Sequence, residues 1–429
     1  MKMNIRSITV FCDPHWPLNH DVLRQVGEFI AAARPAFEAA GYAIQTCRLA
    51  SIPFPRLVSG WGGRERSQAQ ATDQVAALAQ GLGHESTLLG IDYVSLGPAM
   101  PDVPQSYAAI PAALAAAENV FLGGWMTDAA GRISLPSVRA CAEVIQRASL
   151  LSPDGFANLR FAALANVPPG SPFFPAAYHA GGGLAFALAT EAAGLAVEAF
   201  EGAGSLEAAR LNLVTALQNH AQVLTVLSSG LADRNGLSFG GIDFSLAPFP
   251  EESRSLGTAF ERLGVPSMGM HGSLAAAAFL ADAIDRAQFP RAGFSGLLLP
   301  VLEDAILARR AAEGALSVKD LLLYSAVCGA GLDTVPLPGD TTREELAAVL
   351  LDLAALACRL NKPLTARLLP VPGKKAGDPT GFDFAFFANS RVLPLEARPL
   401  QGLLAGNETF DLAPSQRHEL GSASGEPTR

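Results

Sequence analysis

His271, Cys328, Asp243 and Asp333 are the side chains of this sequence best equipped for proton transfer or nucleophilic attack. All four stand on polar turns that follow apolar runs. The turns read Gly241-Ile-Asp-Phe-Ser-Leu-Ala-Pro248, Met270-His-Gly-Ser273 and Ala326-Val-Cys-Gly-Ala-Gly-Leu-Asp333. An apolar run supplies a buried strand or helix, and the Gly/Pro/Asp cluster after it supplies a backbone turn. An α/β scaffold builds one pocket from several such loops. His271 directly precedes an Ala-rich segment, where a helix N-terminus can take a ligand anion while the imidazole exchanges protons. A histidine that only satisfies a loop carbonyl fits the same sequence equally well. Cys328 reads either as a thiol whose pKa is lowered by neighbouring N–H groups or a cation, or as a small apolar residue packed at a helix end. Asp243 and Asp333 lie at strand ends, where carboxylates commonly face the ligand side of the sheet, and Asp333 is a candidate to orient His271. Asp340 reads as the cap of a helix starting near Thr341. Glu303 and Asp304 read as site carboxylates or as first-turn acids favoured by a helix dipole.

A second set of residues suits binding. Lys374 and Lys375, in Pro372-Gly-Lys-Lys-Ala-Gly-Asp378, form a cationic loop fit for a carboxylate or phosphate, or a solvated hairpin. Asn166, the Pro-rich segment after it, His179 and Ser245 complete the expected substrate-binding set. There is no GxxxxGK[ST] loop, and no GxGxxG follows a strand, so no nucleotide cofactor is expected. One histidine with two aspartates is a workable ligand set for a divalent metal, but the spacing is too loose to assign one.

These loops, with Gly90-Ile-Asp-Tyr-Val-Ser-Leu-Gly-Pro-Ala99 and Ala165-Asn-Val-Pro-Pro-Gly-Ser-Pro-Phe-Phe-Pro-Ala-Ala-Tyr-His179, resemble the UPF0210/DUF711 family of uncharacterised proteins. The resemblance runs from the first strand to about Leu395. It implies the barrel fold of the pyruvate formate-lyase-like glycyl radical enzymes and leaves the reaction open. Radical chemistry is not expected. The C-terminal stretch Leu403-Leu-Ala-Gly-Asn-Glu-Thr-Phe-Asp-Leu412 lacks the Arg-containing glycyl loop, and the adjacent Cys-Cys pair is missing.

The elements that must position these residues alternate between strand and helix. Strands are expected over Ile8–Cys12, Tyr42–Leu49, Tyr93–Leu96, Val120–Leu122, Phe161–Ala165, Ile242–Leu246, Gly296–Val301, Leu332–Leu337 and Thr365–Val371. Two long helices are expected between about Gly183 and Leu227. Such alternation predicts a parallel or mixed sheet covered by helices, and the resemblance adds closure into an α/β barrel with helices outside. Residues 1–400 are expected to form one large barrel-like domain, and 401–429 a partly mobile tail.

Composition fits a soluble metabolic protein. The chain is 49% hydrophobic and 17% charged, with a net charge of −9, a pI of about 5.3 and a mean hydropathy of +0.26. That charge argues against nucleic acid or an anionic membrane as partner. No apolar stretch reaches the ~20 residues of a bilayer span. Five cysteines without a CxxC pair suit a reducing cytoplasm rather than a disulfide framework. Assembly as a homo-oligomer stays open. The expectation is a hydrolase or lyase acting on a small anionic metabolite, by acid/base or cysteine chemistry. The alternative is a non-catalytic protein that cages such a metabolite.

Overall fold

In the computed structural model, which describes residues 3–61, 65–327 and 329–414, the strands are β1 (Asn4–Cys12), β2 (Ile44–Ser51), β3 (Tyr93–Ala99), β4 (Val120–Trp125), β5 (Ile133–Ser134), β6 (Phe161–Ala165), β7 (Ala185–Glu191), β8 (Ser238–Asp243), β9 (Gly331–Pro338), β10 (Leu364–Val371) and β11 (Thr409–Phe410). The helices are α1 (His20–Ala39), α2 (Glu65–Leu88), α3 (Ile110–Ala116), α4 (Leu135–Ser149), α5 (Ala193–Phe200), α6 (Leu206–Asn235), α7 (Leu256–Arg262), α8 (Ser273–Arg286), α9 (Ala305–Ala312), α10 (Val318–Ser325) and α11 (Arg343–Leu360).

Nine strands form one sheet in the order β8-β7-β1-β2-β3-β4-β6-β10-β9. The central β1, β2, β3, β4 and β6 run parallel. The flanking pairs β7/β8 and β10/β9 are each parallel within themselves and antiparallel to the centre. β1, β3, β8 and β10, expected in one sheet, are in one sheet. A closed barrel is not what the ladders form, because β8 and β9 end the order without pairing with each other. One irregular segment spans these edges. Arg291 bridges to Ile242 of β8, and Pro300 bridges to Asp333 of β9.

The two faces of the sheet are covered differently. Side chains alternate across a strand, and one set (Ile8, Val10, Cys47, Leu49, Val94, Leu122, Ala163, Leu188, Ala366, Leu368) packs into the main hydrophobic core with the helices. The helices present matching apolar stripes. In α1 these are Leu23, Val26, Phe29, Ile30, Ala33 and Phe37, and Asn19 caps the first turn. α11 opens on a capping box between Thr342 and Glu345, so Asp340 is not its cap as expected. The opposite face is covered by coil. Thr9 donates through Oγ1 to the Pro172 carbonyl at 2.9 Å, and Phe174 and Ala177 pack on Phe11, Ala50 and Phe121.

Three expected elements come out otherwise. Of the expected strand Ile242–Leu246, only Ile242 and Asp243 are strand, at the end of β8. The helix expected from Gly183 begins instead with strand β7, Ala-Phe-Ala-Leu-Ala-Thr-Glu. Alanine favours helices in isolation, but here Ala187 and Ala189 supply small side chains where Phe11 and Phe173 press on the strand. The expected strand Gly296–Val301 is irregular, held to β9 at the Pro300 bridge, where Val301 N–H donates to the Asp333 carbonyl. Residues 401–414 are tied down: β11 pairs with β5, and Arg139 donates to the Gly406 carbonyl.

Candidate functional site

Three arginines sit inside strands. Cys47 and Leu49 face the helices, so Arg48 between them points to the coil-covered face; Ala366 and Leu368 do the same for Arg367. Arg6 lies where the β1 register shifts between Ile5 and Ser7. Arg48 is 9% exposed and Arg367 is 8% exposed. Lone guanidinia at that depth need partners or solvent.

Arg367 and Arg6 have partners. Arg367 donates from Nε to Asp333 Oδ1 at 2.5 Å and from Nη2 to Glu303 Oε1 at 2.7 Å. Arg6 Nη2 donates to Glu303 Oε2, and Arg6 Nη1 donates to the Pro248 carbonyl at 3.2 Å. Glu303 thus bridges two guanidinia. Arg48 differs: its Nε donates to Thr46 Oγ1 at 2.8 Å, and no carboxylate pairs with it among the described residues. Thr46 in turn donates to the Arg6 carbonyl at 2.9 Å. The Arg48 guanidinium lies 5.0 Å from the Phe174 ring centre and 5.9 Å from that of Tyr93.

These groups wall a cavity of about 420 Å³, whose lining also includes Phe121, Phe156, Phe173, Phe294, Phe384 and Phe386. The cavity lies over the N-terminal halves of the central parallel strands, marked by Arg6, Thr46, Tyr93, Phe121 and Ala162. Open α/β sheets commonly bind at the opposite, C-terminal ends. Here the coil cover and the flanking antiparallel pairs create the hollow instead.

The electrostatics separate the two carboxylates. Burial alone would raise Glu303, but the guanidinia of Arg367 and Arg6 outweigh it and hold the carboxyl below its ordinary range. Asp333 moves upward, because burial, reinforced by the neighbouring Glu303 charge, exceeds the pull of Arg367. Burial, with the like charges of Arg6 and Arg367, pushes Arg48 down to about 9. Two carboxylates in one cavity with pKa values pushed apart are the arrangement that divides an acid role from an ionised one.

Of the residues read from sequence, Asp333, Glu303 and the 173–176 end of the Pro-rich segment line this cavity; Asp243, Ser245, His271, Lys374, Lys375, Asn166 and His179 do not. Asp243 is fully buried and serves as a latch. It accepts hydrogen bonds from Ser245 N (2.9 Å), Ser245 Oγ (2.5 Å), Phe294 N (2.7 Å) and Ser295 N (2.9 Å). Burial pushes it up to about 6 against those bonds. Gly293, at φ +60°, completes the latch, since an added Cβ would fall 2.1 Å from Asp243 Oδ2. Ser245 is buried in the same latch and accepts from Gly296 N. Asp243 and Ser245 therefore hold the 292–296 segment, whose neighbours Phe294 and Leu298 reach the cavity wall.

His271 is exposed just before α8, in the outer helical layer. Lys374 is half-buried and Lys375 exposed, in a turn where Lys375 N donates to Asp378. Asn166, at φ +54°, is half-buried beside Cys358. His179 is buried and stacked on Phe11, its backbone N–H donating to the Ser51 carbonyl at the C-terminal end of β2. Cys328 lies outside the described residues. Cys12, Cys47, Cys141 and Cys358 are buried, and burial pushes each thiol up, Cys47 to about 11. His271 is not brought together with Asp243 and Asp333 as a metal-ligand set; among the described residues no other group of three such side chains gathers.

Arg6, Arg48 and Arg367 were passed over in the sequence reading, yet a signal existed. Asn4-Ile-Arg-Ser-Ile, Thr46-Cys-Arg-Leu and Thr365-Ala-Arg-Leu-Leu each place one guanidinium inside a strand of small or apolar residues. The pair Glu303-Asp304 divides between its two readings. Glu303 is in the cavity, while Asp304 caps α9 through Ile306 N and Leu307 N.

Residues 1–387 match the family model described as Uncharacterised ACR (DUF711). The chain belongs to the UPF0210/DUF711 family. It is 33% identical over 410 residues to a UPF0210 protein of Pyrobaculum aerophilum, covering 88% of this chain and 87% of the relative. A UPF0210 protein of Methanopyrus kandleri is 28% identical over 380 residues, covering 83% and 81%. The UPF0210/DUF711 match takes in every residue of the cavity wall, the last of which is Phe386.

Proposed function

We propose that this UPF0210/DUF711 protein is an enzyme of the hydrolase or lyase type that acts on a small anionic metabolite held in the Arg48–Asp333 cavity. The observation that carries this reading is the split pair: Glu303, ionised between Arg6 and Arg367, and Asp333, raised by burial beside it. Asp333 is the catalytic residue, giving or taking the proton. Glu303 is a positioning residue that keeps Arg367 aligned on Asp333. Arg48 holds the anion. A carboxyl raised above the ordinary aspartate range is better matched to proton transfer near physiological pH than an ordinary aspartate. On this reading the curled sheet serves as a barrel-like cage, with the bridges at Arg291 and Pro300 spanning its open side. The protein works in the cytoplasm. Among the described residues no helix is long and apolar enough to cross a membrane.

The test is conversion of a metabolite extract by the purified protein, followed by mass spectrometry. Species consumed by the wild type and spared by Asp333→Asn, with both proteins equally stable, support the enzyme. Species retained by both and converted by neither make the protein a metabolite cage. Equal conversion by both removes Asp333 from the chemistry.

A further inference from the structure

We infer that the cavity is built for a monocarboxylate with a flat aromatic or apolar body, and that Arg48 is the carboxylate receptor. The inference deepens the reading above by naming the ligand class. It rests on the cavity being the ligand site, and not on Asp333 performing chemistry there.

The first argument is charge counting. The cavity wall carries the guanidinia of Arg6, Arg48, Arg160 and Arg367 against the carboxylates of Glu118, Glu303 and Asp333, an excess of one positive charge. Arg6 and Arg367 are committed to Glu303 and Asp333. Arg48 spends only Nε on the protein, and neither Nη has a protein partner among the described residues. A guanidinium presents parallel donors whose spacing matches the two oxygens of a carboxylate. One unclaimed guanidinium balances one negative charge. A phosphate dianion calls for a second free cation, and Arg160, the remaining guanidinium of the wall, donates to the Ala117 and Val120 carbonyls and feels the charge of Glu118.

The second argument is shape and surface. Beside the Arg48 guanidinium stand Phe174 and Tyr93, each packed against Phe121 at ring separations of 5.4 and 5.2 Å. Phe384 and Phe386 line the wall as well, with ring centres 5.3 Å apart. Such a wall favours a flat apolar body, because aromatic rings pair edge-to-face or offset at these separations. The third argument is volume. A cavity of about 420 Å³ is of the size of small-molecule sites. That admits an arylacetate or arylpropionate.

The test uses calorimetric titration of the full chain with phenylacetate, phenylpropionate and indole-3-acetate. Phenylacetamide, phenyl phosphate and acetate serve as the contrasting probes. The expected result is saturable binding of at least one arylcarboxylate. The amide should bind about ten- to a hundredfold more weakly, the worth of a charge-assisted hydrogen-bond pair, and phenyl phosphate and bare acetate, which has no ring to bury, should also bind more weakly. Arg48→Met should erase the preference for carboxylate over amide, and Arg48→Lys should keep part of it. Thermal unfolding of each variant verifies that it is folded. Four results overturn the inference: phenylacetamide binding as tightly as phenylacetate, phenyl phosphate binding more tightly, acetate alone matching the aryl acids, or no saturable binding of any arylcarboxylate at millimolar concentration. The two readings fail separately. Arylcarboxylate binding without turnover removes the enzyme and leaves this inference standing. Turnover lost in Asp333→Asn but untouched by Arg48→Met removes this inference and leaves the enzyme.

Discussion

Replacing Arg48 by methionine should make this protein more stable. The Arg48 side chain is 9% exposed, has no carboxylate partner among the described residues and faces the charges of Arg6 and Arg367. Burial and that repulsion bring its pKa from the ordinary arginine range down to about 9. At about 1.4 kcal/mol per tenfold in the protonation equilibrium, keeping it charged costs the fold about 5 kcal/mol. The sign follows from the two states. Below about pH 9 the guanidinium is charged folded and unfolded, so the whole penalty is present at neutral pH. It is relieved only as pH rises from about 9 towards the unfolded value. Water in a cavity of about 420 Å³ hydrates the guanidinium and recovers part of that cost. The ring contacts with Phe174 and Tyr93 and the bond to Thr46 recover more. A net gain of about 1–3 kcal/mol for Arg48→Met remains, within the range seen when buried charges give way to apolar side chains. For a chain of this length, unfolding entropy scales to about 0.9 kcal/mol per kelvin, so the midpoint should rise by about 1–3 °C. Differential scanning calorimetry at pH 7, paired with urea titration, reads it directly. A fall in stability of more than about 1 kcal/mol would refute the reasoning, because it would mean that Arg48 is a satisfied structural residue.

Other variants should behave differently. Arg367→Met leaves Asp333 and Glu303 buried without their shared partner and should cost about 3–5 kcal/mol in urea unfolding; a loss under 1 kcal/mol would remove Arg367 as the keystone. Asp243→Ala strands the Ser245, Phe294 and Ser295 N–H groups and should cost about 3 kcal/mol or more by the same measurement. Because burial raises Asp243 to about 6, its contribution to stability is full below the unfolded value near 4 and is lost as pH rises through about 6. The wild type should therefore lose stability relative to Asp243→Asn between about pH 4 and 6, and an unchanged difference across that window would count against the shift. His271→Ala, at an exposed site, should stay within about 0.5 kcal/mol of wild type and leave aryl-acid binding unchanged, as titration of both proteins will establish.

Much of this molecule was legible in its sequence. Apolar runs punctuated by Gly, Pro and Asp placed β1, β2, β3, β4, β6, β9 and β10 close to where they lie, because burying a strand on both faces demands such runs and ending it demands a turn. The motifs identified the family. Asp333, read from sequence as a strand-end carboxylate, is instead the third residue of β9 (Gly331–Pro338), and it lines the cavity. Local pattern failed where a contact distant in sequence decides. Ala185–Glu191 is a strand because β1 and β8 pair with it and bulky rings press on it, which outweighs alanine's preference for helix. Asp243 and Asp333 look alike in sequence. What separates them is that Gly293, Phe294 and Ser295, some fifty residues downstream, close over the first, whereas Arg367 and a hollow face the second. Arg6 and Arg48 lie on the neighbouring strands β1 and β2, whereas Arg367 follows more than three hundred residues later on β10, four strands from β2, and Glu303 ties it to Arg6. Which of these arginines lacks a counter-charge is decided by where the irregular 290–303 segment delivers Glu303. That is a property of the tertiary structure, because the energy of a buried charge depends on what surrounds it in space.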